Sequence, residues 1–157
     1  MSRSTMNTAA VDNVASMPSA SRPCPYREGD LLPAFKSAPI SRAVIALFAG
    51  ASNDHNPIHI DIDAARAAGL DDVFVQGMLP MAYLGRMLTD VFGQDALREF
   101  GVRFVNITYV HDALECIGRV ETVEGIAGGW RVGVAVSAIN PRGDLALSGD
   151  AVIELKS

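Results

Sequence analysis

Pro80 constrains this chain more than any other residue. It lies in a stretch, residues 77–92, where Met78, Leu79, Met81, Ala82, Tyr83, Leu84, Met87 and Leu88 are apolar and only Arg86, Thr89 and Asp90 are strongly polar. Proline lacks an N–H and clashes with the preceding turn, so a helix tolerates it only in its first turn. The helix must therefore start within about three residues before Pro80, which places its beginning at Gly77 and its end near Phe92. A helix apolar almost all round is expected to be enclosed.

Beyond Gly101 the hydrophobic period changes to two. Residues 103–110 and 114–123 alternate roughly, and Trp130, Val132, Val134, Val136 and Ala138 share one face of a third run. Leu145, Leu147, Gly149, Ala151, Ile153 and Leu155 repeat the pattern in a fourth. Turn residues at 125–129 and 140–144 separate these runs and predict an antiparallel meander. An earlier extended segment, punctuated by Gly29, Pro33 and Pro39, is available as a fifth strand. The prediction is an α+β hotdog fold, an antiparallel sheet of about five strands wrapped around a central apolar helix.

Two shorter helices are expected before it. Ser41 reads as an N-cap for Val44, Ile45, Leu47 and Phe48, with Gly50, Ser52 and Asn53 ending that helix. Asp61 caps an alanine-rich helix that Gly69 terminates. Residues 1–25, rich in Ser, Ala, Asn and Pro without hydrophobic period, are expected to be a disordered tail, leaving residues 26–157 as a single domain. The tail lacks the apolar block of a secretory signal, and its low acid content leaves a transit peptide as the lesser reading.

Charge and cysteine content narrow the function. A net charge of −5, with Lys and Arg scattered singly, argues against a nucleic-acid partner. Half of the residues are hydrophobic (49%), yet no run approaches the roughly 20 residues needed to cross a bilayer. Two cysteines, Cys24 and Cys116, make no disulfide framework and fit a reducing compartment, so a cytoplasmic location is expected.

The reactive groups gather in one loop, Ser52-Asn53-Asp54-His55-Asn56-Pro57-Ile58-His59. His55 and His59 have the i, i+4 spacing of a zinc pair, but Pro57 between them pushes Asn56 out of helical geometry, so no metal is expected. Asp54 and His59 can instead converge on one water as an acid–base pair, with Asn56 and Pro57 fixing the loop. The plainer reading makes Asp54 a turn cap and His59 a satisfied, half-buried histidine. On these residues alone both stand.

Residues 45–88 carry a sharper signal. D-x-N-P-x-H at Asp54 to His59, A-x-x-x-G at Ala65 to Gly69 and G-M-L at Gly77-Met78-Leu79 closely resemble, in that order and spacing, the MaoC-like dehydratases, a family that includes the (R)-specific enoyl-CoA hydratases. The resemblance implies that Asp54 and His59 hold one catalytic water, that Gly77 N–H receives the charge developing on a thioester oxygen, and that Gln76, Met78 and Leu79 belong to the substrate pocket. It implies reversible hydration of a trans-2-enoyl thioester to an (R)-3-hydroxyacyl thioester. The substrate is expected to be an acyl-CoA, and no cofactor is expected beyond the CoA that substrate carries. This chain has Gln76 where many members have His, and Thr108 and His111-Asp112 where members commonly have Pro and Gly-Asp. Those departures fall where the acyl pocket or its covering loop is expected, so they bear on which substrate is taken and not on the reaction type.

Two other readings remain. One is a partner-dependent or non-catalytic hotdog subunit of a heteromeric dehydratase; the other is a hotdog thioesterase. A lone hotdog leaves a sheet edge open, so a homodimer or dimer of dimers is expected, with the site near the interface.

Overall fold

The computed structural model describes residues 23–157, so all of the expected tail but its last three residues lies outside the described residues. Packing reaches slightly further back than residue 26, because Cys24 is partly buried against the core.

Local signals set the helices. Helix α1, Arg42–Ser52, starts where Ser41 Oγ accepts the Val44 N–H at 3.3 Å and stops at Asn53, whose φ of 59° reverses the chain. Gly50, expected to help end it, lies inside it. The helix buries Ile45 and Ala49 and hands the chain directly to the reactive loop. In α2, Ile62–Ala67, the Asp61 carboxylate accepts N–H groups from Asp63 and Ala64 at 2.8 and 3.4 Å. Helix α3 runs Met78–Phe92 with Gly77 at its N-cap, the start that Pro80 required.

The sheet is antiparallel throughout, in the order β1-β3-β4-β5-β2. Its strands are β1 (Phe35–Lys36), β2 (Leu97–Phe104), β3 (Glu115–Ile126), β4 (Gly129–Ile139) and β5 (Leu145–Lys156). Valines 132, 134 and 136 with Ala138 face inward on β4, and Leu147, Ala151 and Ile153 do so on β5. The sheet wraps α3, which touches all five strands, giving the hotdog arrangement. Gly118 on β3 lies where a Cβ would stand 2.7 Å from Leu32 Cδ1 and 3.1 Å from Met87 Cε, so the helix packs tightly onto that strand.

Three expectations need correction. Strand β2 occupies residues 97–104 and not 103–110, because its ladder to β5 ends at Phe104, after which the Val105 and Asn106 N–H groups both turn to the Ala146 carbonyl. Only β3, β4 and β5 form a meander; β2 lies at the far edge beside β5, so the connection from β2 to β3 must pass two strands. Helix α3 is covered on one face, where Leu79, Pro80, Leu84, Met87 and Leu88 are buried, while Met78, Ala82 and Arg86 face outward. A single sheet has one concave face, and a helix resting in it keeps the opposite side open.

Candidate active site

The reactive loop is shaped by its own side chains. Asn56 accepts the Ile58 N–H at 3.3 Å, Pro57 supplies a preset φ, and residues Pro57–His59 close into one 3-10 turn. The Asp54 carboxylate accepts the Asn56 N–H at 3.4 Å through Oδ1, leaving Oδ2 directed elsewhere. His59, at the end of the turn, is buried among its neighbours, whereas Asp54 stays 42% exposed at the side chain. His55 points to solvent.

His59 has a defined tautomer. Its Nδ1 lies 2.8 Å from the Phe74 carbonyl, which can only accept, so the neutral ring keeps its proton on Nδ1. The lone pair is then on Nε2, 3.8 Å from Asp54 Oδ2. That separation exceeds a direct hydrogen bond, yet a molecule the size of water can reach both atoms. The Phe74 ring meets the imidazole edge-on, with centroids 4.5 Å apart, and fixes its plane. Both of the plainer roles are therefore present, a turn cap at Asp54 and a satisfied buried nitrogen at His59, and they leave Asp54 Oδ2 and His59 Nε2 facing each other.

Phe74 joins this pair to a cleft of about 290 Å³. The cleft is walled by Phe74, Val75, Gly77 and Pro80 on one side and by residues 104–108 with Leu147 on the other. Gly77 is exposed, and among the described residues no acceptor meets its N–H at the start of α3, where the helix dipole is positive. A Cβ at this position would stand 3.1 Å from the Phe104 ring, so glycine keeps the approach to that N–H open.

None of the three expected pocket residues lines the cleft. Leu79 belongs to the core, Met78 projects outward at 52% exposure, and Gln76 is fully buried. Gln76 Nε2 donates to the Ile45 carbonyl at 3.1 Å and so ties α1 to the segment before α3. Its Oε1 is buried without a partner among the described residues, a state worth about 1–3 kcal/mol of lost solvation. Sequence reasoning missed Phe74, whose signal is only its place three residues before Gly77. It also missed the cleft wall at Phe104, Val105 and Ile107, whose apolar run was read as a strand. Cys116 is buried on β3, and burial pushes its thiol up to about 12, which makes it core and not nucleophile.

Comparisons with known proteins bear on the family and the fold. The profile of the family described as "MaoC like domain" matches residues 29–140. The R-hydratase PhaJ1 from Pseudomonas aeruginosa superposes with a TM-score of 0.73 at 24% identity over 84% of this chain and 83% of that one. One chain of the crystal structure of the ChsH1-ChsH2 complex from Mycobacterium tuberculosis superposes at 0.72, with 25% identity over 83% of this chain and 98% of that one. A mitochondrial 3-hydroxyacyl-[acyl-carrier-protein] dehydratase of Arabidopsis thaliana is 30% identical over 79 residues, 50% of this chain. Those residues span 46% of that protein, under half its length.

Proposed function

Because this chain belongs to the MaoC-like domain family, we propose that it is a hydro-lyase that adds water reversibly across a trans-2-enoyl thioester to give an (R)-3-hydroxyacyl thioester. The observation that carries the reading is the His59 tautomer: with Nδ1–H held by Phe74, the free Nε2 and Asp54 Oδ2 face each other across 3.8 Å. The reacting water binds between them during hydration. In the hydration direction Nε2 takes a proton from that water as its oxygen bonds to C3, and the Asp54 carboxylate holds the water and then stabilises the imidazolium. The imidazolium returns the proton to C2. Electron density that moves onto the thioester oxygen in between is met by Gly77 N–H at the α3 N-terminus.

Every atom is accounted for by water and substrate, so the scheme needs no metal or redox cofactor. The acyl chain lies in the apolar cleft beside Gly77, and its carrier is CoA, with acyl carrier protein as the alternative that the name of the Arabidopsis relative raises. The chain works as a homodimer or a dimer of dimers. A second reading, a subunit completed by a different partner chain, is favoured by the likeness to a structure titled as a complex of two proteins.

Purified protein mixed with trans-2-enoyl-CoA of 4, 8 and 12 carbons (about these lengths, to sample pocket depth) is expected to abolish the conjugated thioester absorbance and yield the (R) alcohol. Absence of turnover at every length in a folded sample would count against catalysis by this chain alone and favour the partner-dependent subunit.

A further inference from the structure

The wall of the cleft opposite Gly77 is held by an ion pair that the chemistry above does not use. Arg142, in the turn between β4 and β5, places Nη1 and Nη2 on the two carboxylate oxygens of Asp112 at 2.8 and 3.1 Å. The Asp112 side chain is only 7% exposed, and its Oδ2 also accepts the Tyr109 N–H at 2.9 Å. The guanidinium lies 5.8 Å from the Tyr109 ring centroid. Tyr109 in turn bridges to Phe74, and the Thr108 carbonyl accepts the Val75 N–H at 3.0 Å. Arg142 is thus linked through Asp112 and residues 108–109 to the segment that carries Phe74 and leads to Gly77.

The turn bearing Arg142 is itself rigid. Asn140 Oδ1 accepts the N–H groups of Arg142 and Asp144 at 3.0 and 2.9 Å, and Asp144 Oδ2 accepts from Arg142 Nε at 3.1 Å. A planar fork held on both sides fixes direction as well as distance, which an ammonium cannot do. Without Arg142 the Asp112 carboxylate would keep one backbone donor at a nearly buried position, and it would swing toward water, drawing residues 107–109 with it while Val105 and Asn106 stay bonded to Ala146.

We infer that Arg142 is a positioning residue which, through Asp112, sets the width of the acyl cleft and thereby determines which acyl chains the site accepts. The inference rests on the hydratase reading. Arg142 touches neither substrate nor reacting atoms; it acts through the end of the wall made by Ile107 and Thr108.

The test compares wild type with Arg142→Ala, Arg142→Lys and Asp112→Asn, by hydrogen exchange and by kcat and KM on enoyl-CoA substrates of short, medium and long chain. Arg142 lies half-exposed on a turn, so Arg142→Ala is expected to fold even if Asp112→Asn does not. Faster exchange confined to the amides of residues 107–112 is expected, with a change of about tenfold or more in the ratio of kcat/KM between long and short chains, carried by KM. Arg142→Lys should fall between wild type and Arg142→Ala. An unchanged chain-length ratio, a uniform loss across all lengths, or unaltered exchange in 107–112 overturns the inference while leaving the hydratase reading intact. No turnover by wild type at any length overturns both.

Discussion

At residue scale, the site depends on what a few atoms are prevented from doing. Phe74 occupies one nitrogen of His59 so that the other is free, and Asn56 with Asp54 shapes the turn that presents it. Gly77 contributes by lacking a side chain. Its φ of −57° is open to any residue, so Gly77→Ala carries no backbone strain, and the Phe104 ring, itself 53% exposed, can turn aside from the added methyl. Gly77→Ala is therefore expected to melt within a few degrees of wild type while losing about 10–100-fold in kcat for enoyl-thioester hydration, as the methyl crowds the N–H. A variant that kept full activity would remove Gly77 from the mechanism. The turn that carries Asp54, Asn56, Pro57 and His59 was legible in sequence because proline and its flanking polar residues admit few conformations, while the catalytic role of Asp54 and His59 came only from the family resemblance. Phe74 acts through its backbone carbonyl, which no residue identity announces.

Among the elements, those with local punctuation were readable and those defined by distant pairing were not. Ser41, Asp61, Gly69 and Pro80 mark helix ends through bonds made within a few residues, and α1, α2 and α3 begin where these residues require. Strand β2 has no such mark. Its pattern of exposure is irregular because it is an edge strand, and its limits follow from where β5 stops accepting partners. The outward face of α3 was equally hidden, since an apolar residue looks the same whether its own sheet or another surface covers it. The packing of α3 and of Leu32 onto β3 is testable: Gly118→Ala would press a methyl to within 3.1 Å of Met87 Cε on the helix and 2.7 Å of Leu32 Cδ1 on the segment before β1. Urea denaturation should show a loss of about 1–3 kcal/mol from overpacking, and a neutral outcome would mean that the Leu32 and Met87 side chains yield to the methyl.

On the scale of the whole molecule, sheet, helix and loop bring three reactive features to one end of α3 and leave apolar surface around them. Met78, Phe104, Val105, Ile107 and Tyr109 are all more than 40% exposed near the cleft, and the outer edge of β2 is unpaired among the described residues. Exposed apolar surface beside an open edge favours association of two copies. Analytical ultracentrifugation is expected to give a mass of at least twice 16.6 kDa, and a monomer at micromolar concentration would refute that assembly. The central claim is that Asp54 and His59 act on one water as a unit. The most direct measurement is kcat for Asp54→Asn, His59→Ala and the double variant on one enoyl-CoA substrate. Each single variant should lose roughly 10²–10⁴-fold, and the double should be little worse than the weaker single, because groups that share one step do not contribute additively. Activity close to wild type in either single variant, or losses that multiply in the double, would contradict the account.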